Sequence, residues 1–257
     1  MLIGLLVAYL FLGGGHETFL LNPELTKDVS TYVMDKGRKK EIDSLIKSVE
    51  KKEESFQKRT KKEYDKKLDD LNMNRASTRI EFGSVYNPFY SDLTTLQNEY
   101  IESELKIRTL IKPDEWEKIM DKVLQQPDKE KIRKRLLDEN NKMHDKLLNV
   151  CNKHIPDSSG KIQAKALVDE NEKKGESVDD AFLDLSYQNL KAIRPYHVTR
   201  QDFEPIRQKM LEVRRNYTND LVDLRFKLLA ITPEKEWTGL AKELNEQFNY
   251  MGAGISK

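Results

Sequence analysis

Apolar residues recur at the three-and-four spacing of amphipathic helices along most of this chain, and one stretch breaks the pattern: Leu2 to Leu12 is uninterrupted apolar. Asn22-Pro23 reads as an N-cap with Pro at the first helical position, so a helix is expected to about Met34. From Arg38 to about Phe82 there is no Gly or Pro, and Ile42, Leu45, Ile46, Val49, Phe56, Tyr64, Leu68 and Leu71 form a thin stripe. This predicts a helix roughly 65 Å long. Between Lys51 and Asp70, fourteen of twenty residues are charged, with Glu54/Lys58 and Glu63/Lys67 as i,i+4 pairs, so a solvated helix or a narrow seam is expected. Gly83 to Pro88 reads as a turn, and Phe89, Leu93, Leu96, Tyr100, Ile107 and Leu110 define the return helix of an antiparallel hairpin.

Pro113 opens a short helix carrying Trp116, Ile119, Met120 and Val123, and Pro127 opens another that runs to about Lys153. Pro156 to Gly160 reads as a linker, Lys173-Lys174-Gly175 as a helix break, and Ser177-x-x-Asp180 as a capping box. Pro195 ends the following helix and Thr199-x-x-Asp202 starts the next. That helix has the cleanest pattern: Ile206, Met210, Val213, Tyr217, Leu221, Leu224, Leu228 and Ile231 form a heptad-like interaction seam. Thr232-Pro233-Glu234 closes it, and a final helix carries Trp237, Leu240, Leu244 and Phe248.

The apolar N-terminus is a marginal span, because eleven helical residues rise about 16 Å and continuation to Leu21 gives about 30 Å with His16 and Glu17 inside. As an anchor it needs those two side chains at the interface. As a secretory signal it has the right apolar length and Gly13-x-Gly15 before a cut, but no basic residue precedes it. The retained anchor is the preferred reading. Lys27, Lys36, Arg38, Lys39 and Lys40 then favour a cytoplasmic polar side.

Composition narrows function by exclusion. Lys and Arg number 45 against 44 Asp and Glu, so no overall field holds a polyanion and nucleic acid is not an expected partner. One cysteine excludes a disulfide framework. Cys151 and His154 are three residues apart and are the only candidate soft-metal pair, although a buried thiol and a helix C-terminal cation explain them as well. No nucleotide loop, HExxH, GxSxG or EF-hand motif occurs, so neither an enzyme nor a cofactor is expected.

The segments Ile107 to Val123 and Lys227 to Leu244 repeat a long helix ending in Ile, a polar residue and Pro, followed by an acidic residue and Trp. Pro113 and Pro233 are 120 residues apart, whereas Trp116 and Trp237 are one register out. Thr232 can accept from a free N–H and Lys112 cannot, so the corner at Pro113 and Trp116 is expected to be looser than that at Thr232, Pro233 and Trp237.

Leu228 to Glu234 (LLAITPE) resembles the L-T-P-E-Q signature of the Spy/CpxP-like (LTxxQ) periplasmic helical proteins, with the tryptophans near the place of the missing Gln. That resemblance implies helical hairpins, a periplasmic setting and a chaperone or metal and envelope-stress role. The apolar start ending in Gly-Gly-Gly, the charged segment and the Trp-bearing helix are also similar to membrane-anchored helical proteins of Bacteroidota-type bacteria.

The expected protein is all-α. Residues 1–21 form a membrane anchor or signal, 22–126 a charged hairpin with its corner helix, 127–155 a connecting helix, 156–251 a second hairpin with its corner, and 252–257 a frayed tail. Its expected function is that of a non-enzymatic membrane-anchored envelope scaffold or interaction module, binding a protein partner or itself through helical seams. The alternative is a Spy-like chaperone.

Overall fold

In the computed structural model, residues 28–29, 31–123 and 129–254 are described, the side chains of 123 and 247–254 excepted. The apolar stretch Leu2 to Leu21 lies outside them. Among the described residues no helix is long and apolar enough to cross a membrane, and all regular structure is helical.

Helix α1 (Lys36–Arg59) starts at Asp35, whose carboxylate accepts from the Arg38 N–H at 2.8 Å. It passes through a π-helical segment, Thr60–Asp65, into α2 (Lys66–Met73). The cause is visible in the buried stripe. Phe56, Thr60, Tyr64, Leu68 and Asn72 are all buried and all four apart, a spacing that drifts about 40° per step on a regular α-helix. The wider i→i+5 turn absorbs that drift. The charged stretch therefore packs along its hairpin partner rather than projecting, and Phe56 and Tyr64 both meet the Phe89 ring.

The first hairpin turn is not at Gly83 to Pro88. It lies at Asn74 to Thr78, because Thr78 and Glu81 form a complete capping box that starts α3 (Arg79–Leu110) upstream of those residues. Gly83 and Pro88 sit inside α3. A corner helix, α4 (Pro113–Val123), follows.

Helix α5 (Lys129–His154) leads through a short corner to α6 (Ser158–Ile193), whose N-cap Asp157 accepts from the Gly160 N–H. The linker expected at 156–160 is thus a tight connection. The break expected at Lys173 to Gly175 is also absent. Gly175 is buried within α6 because Tyr217 and Asn140 crowd it, with the Tyr217 hydroxyl 3.3 Å from where a Cβ would lie, and Ser177 donates to the Lys173 carbonyl instead of capping. Helix α7 (Arg200–Ile231) begins at the Thr199/Asp202 capping box, and α8 (Glu234–Gly254) follows. α8 extends three residues into the stretch expected to fray.

α3 and α7 are antiparallel and both 32 residues long, and α7 begins 121 residues after α3. In that register Phe82, Phe89, Gln97, Tyr100, Ile101 and Ile107 correspond to Phe203, Met210, Thr218, Leu221, Val222 and Leu228, all buried. The tryptophans, not the prolines, keep the repeat register. α6 answers to α1 and α2 in the same way: Asp35/Asp157, Ile42/Ala164 and Ile46/Val168 are 122 apart, but Tyr64/Leu185 and Leu68/Asn189 are 121 apart. The π segment is where the first repeat carries its one additional residue.

Candidate functional site

The two repeats meet at two corners, each built from both. In the first, the Trp116 indole N–H donates to the Arg194 carbonyl at 2.9 Å. Arg108 lies over its ring at 4.1 Å and over Phe203 at 5.8 Å, and donates to the Ile193 and Pro195 carbonyls at 2.8 Å. In the second, the Trp237 indole donates to the Asn72 carbonyl at 3.1 Å. Arg225 lies over Phe82, Phe226 and Trp237 at 5.0, 4.7 and 5.2 Å, and donates to the Leu71 and Asn74 carbonyls at 3.1 and 2.7 Å. Each arginine thus satisfies the carbonyls that a helix end leaves without partners, in the turn of the opposite hairpin.

Two ion pairs follow the 121-residue register, although Arg108 and Arg225 themselves answer to Leu229 and Glu104. Arg200 pairs with Glu102 at 3.0 Å, and Arg79 pairs with Asp223, each residue being the 121-residue counterpart of one in the other pair. Burial lowers the pKa of Arg225 to about 10, with a small opposing contribution from Tyr86. Burial also lowers Arg108, against the raising effect of Glu104 at 2.7 Å. Burial raises Glu104 in turn, opposed by the same arginine. These are cations held in place by aromatic faces and carbonyls, an arrangement suited to fastening helices. It offers neither a nucleophile nor a paired acid and base.

The capping on which the expected contrast between the two corners rests is arranged differently. At the first corner Glu115 accepts from the Lys112 N–H at 2.9 Å and is gripped by Arg38 at 2.7 and 2.9 Å. Its carboxyl is held below the usual range, chiefly by that Arg38 hydrogen bond. At the second, the Thr232 hydroxyl donates to the Leu228 carbonyl at 2.7 Å and closes α7 rather than capping α8. Pro113 and Pro233 begin the corners, but the polar bonds come from residues around them.

The seam of α7 is largely spent inside the chain. Met210, Leu221, Leu224 and Leu228 are buried, whereas Ile206, Val213, Tyr217 and Ile231 are half-buried. Cys151 is fully buried in the apolar core, and burial pushes its thiol up to about 12. His154 is paired with Glu243 at 3.2 Å and Glu236 at 3.5 Å and lies under Gly239, where a Cβ would lie 2.7 Å from the ring. Among the described residues no group of three or more His, Cys, Asp or Glu side chains could hold a metal ion.

Arg108, Arg225, Arg75 and Tyr196 were not singled out by periodicity, since polar residues on a buried stripe carry no signal of their own. The Thr-x-x-acid pairs at 78 and 199 would have exposed the 121-residue register. No family model, curated protein or solved structure matches the chain.

Proposed function

We propose that the chain is a non-enzymatic, membrane-anchored helical scaffold of the cell envelope, its two repeats acting as one interaction body. The reciprocal arginine–tryptophan corners carry this reading, because each hairpin is fastened by the other and the pair behaves as one unit. A rigid body suits presentation of fixed helical faces. The large apolar side chains prominent at the surface among the described residues, Met34, Ile80, Leu137 and Ile162, lie in separate segments. That distribution favours a scaffold over the Spy-like alternative, since a chaperone cradle needs a contiguous apolar patch of several hundred Å2, on the order of the largest patches of monomeric proteins.

Attachment rests on Leu2 to Leu21 and is tested by alkaline extraction of membranes holding the full-length chain. Retention in the membrane pellet is expected. Recovery of a soluble product beginning at His16 overturns the anchor. Failure of the purified protein to suppress aggregation of an unfolded client is expected of a scaffold, and efficient suppression favours the chaperone.

A further inference from the structure

We infer that the outward face of α1, the adjoining π segment and the first residue of α2 is a docking ribbon for an anionic lipid surface. Positions 36, 40, 44, 47, 51, 55, 58, 62 and 66 read Lys, Lys, Ser, Lys, Lys, Ser, Lys, Lys, Lys, an eleven-residue repeat. Eleven residues make three turns at about 3.67 per turn, close to the α-helical period, so the positions form a nearly straight line. All nine are exposed. The buried stripe of Ile42, Ile46, Val49 and Phe56 lies on the opposite side. The ribbon is about 45 Å long.

Its charge is concentrated where most of the surface is balanced. Elsewhere Lys174 lies between Glu170 and Asp220, and Arg133 between Glu130 and Asp180. Along the ribbon the ion pair found among the described residues is Lys58 with Glu54, at 3.8 Å and strongly exposed on both sides. Asp43 and Glu50 flank the ribbon without occupying it. Aligned lysines repel one another, so the arrangement is relieved by an anionic surface.

The second repeat shows what this face does. Lys47 and Lys58 answer, 122 residues on, to Asp169 and Asp180 of α6. Both aspartates are docking points: His144 meets Asp169 at 2.8 Å and Arg133 meets Asp180 at 2.7 Å, so cationic α5 is held on acidic α6. At those two positions the first repeat carries the opposite charge, which suits an anionic occupant, while Lys51 answers to a lysine, Lys173. A straight ribbon beside a proposed anchor matches a planar array of lipid phosphates, whereas the chain's net charge of +1 gives no steering toward nucleic acid. The inference rests on the proposed anchor for nearness to the bilayer, but not for its charge dependence.

The test uses full-length chain with phosphatidylcholine vesicles, alone or doped with phosphatidylglycerol, and a single label at Ser44→Cys or Ser55→Cys, with Ser177→Cys on α6 as control. Binding to neutral vesicles reports the anchor alone. Quenching of the 44 and 55 labels by a headgroup-bound quencher is expected only in anionic vesicles, and it is abolished by high salt, while the 177 label stays unquenched. Each lysine adds about five-fold to partitioning at an anionic surface, so Lys47→Gln, Lys51→Gln and Lys58→Gln together should lower the charge-dependent component roughly 100-fold. Equal quenching in both vesicle types, or tight binding to single-stranded oligonucleotide without response to anionic lipid, overturns the ribbon. Loss of neutral-vesicle binding with anionic quenching intact would remove the anchor and leave the ribbon standing.

Discussion

Tyr196 donates its hydroxyl to the carbonyl of Ile111 at 2.8 Å, and the contact has a counterpart 121 residues away on both sides. Arg75, the equivalent of Tyr196, donates at 3.0 Å to the carbonyl of Thr232, the equivalent of Ile111. One is a phenol and the other a guanidinium, yet both satisfy the carbonyl of the residue that caps a long helix, from the turn of the opposite repeat. The position therefore asks for a reaching donor rather than for one residue type.

The Arg225 corner should be a main fastening of the fold. Arg225→Ala removes a buried charged donor to two carbonyls and should cost about 2–4 kcal/mol, measured by urea unfolding. Trp237→Phe, which keeps a ring and loses one N–H donor, should cost about 1 kcal/mol. Equal effects from the two variants would contradict the role given to the guanidinium.

Glycine replacements in helices should separate by their surroundings. A Cβ at Gly83 meets nothing within 4 Å, so Gly83→Ala should stabilise by about 0.5–1 kcal/mol. Gly239→Ala drives a methyl into the His154 ring, and should destabilise by about 1–3 kcal/mol. Thermal melts of the two variants should move in opposite directions.

The π segment should tolerate a deletion that α6 does not. Removing Lys61 brings the two repeats to one register while returning the 60-to-64 step to ordinary helical spacing, and circular dichroism should show a melting point close to that of the parent. Removing Lys173 has no wide turn to absorb it, and rotates one side of α6 against the other by about 100°. That variant should lose cooperative unfolding.

His144 should make stability fall as the pH rises through neutrality. Its pKa is raised, first by the hydrogen bond to Asp169, against burial that lowers it. A folded pKa above the unfolded value near 6.5 means that the contribution is complete below that value and is lost as pH passes the raised one. Melting temperatures from pH 5 to pH 9 should show this decline, and His144→Gln should flatten it.

Leu221 and Leu224 are both buried on α7. Replacement of either with Ala should cost about 2–5 kcal/mol in chemical denaturation.

Local chemistry was legible wherever it was self-contained. The helical period, the Thr199/Asp202 capping box and the start of α4 at Pro113 all follow from residues within a few positions of one another, which is why an all-helical chain with two related corners can be read from local pattern. Tertiary structure decided what those faces meet. Gly175 reads as a breaker until Tyr217 is seen to need its missing side chain, and GSVYNP reads as a turn until Thr78 and Glu81 start the helix before it. The carbonyls that Arg108 and Arg225 reach lie 85 to 154 positions away in the chain, so nothing local to either arginine points to them. Periodicity states which face of a helix leaves water, but the identity of the covering surface depends on relative placement of helices, and only the assembled fold specifies that.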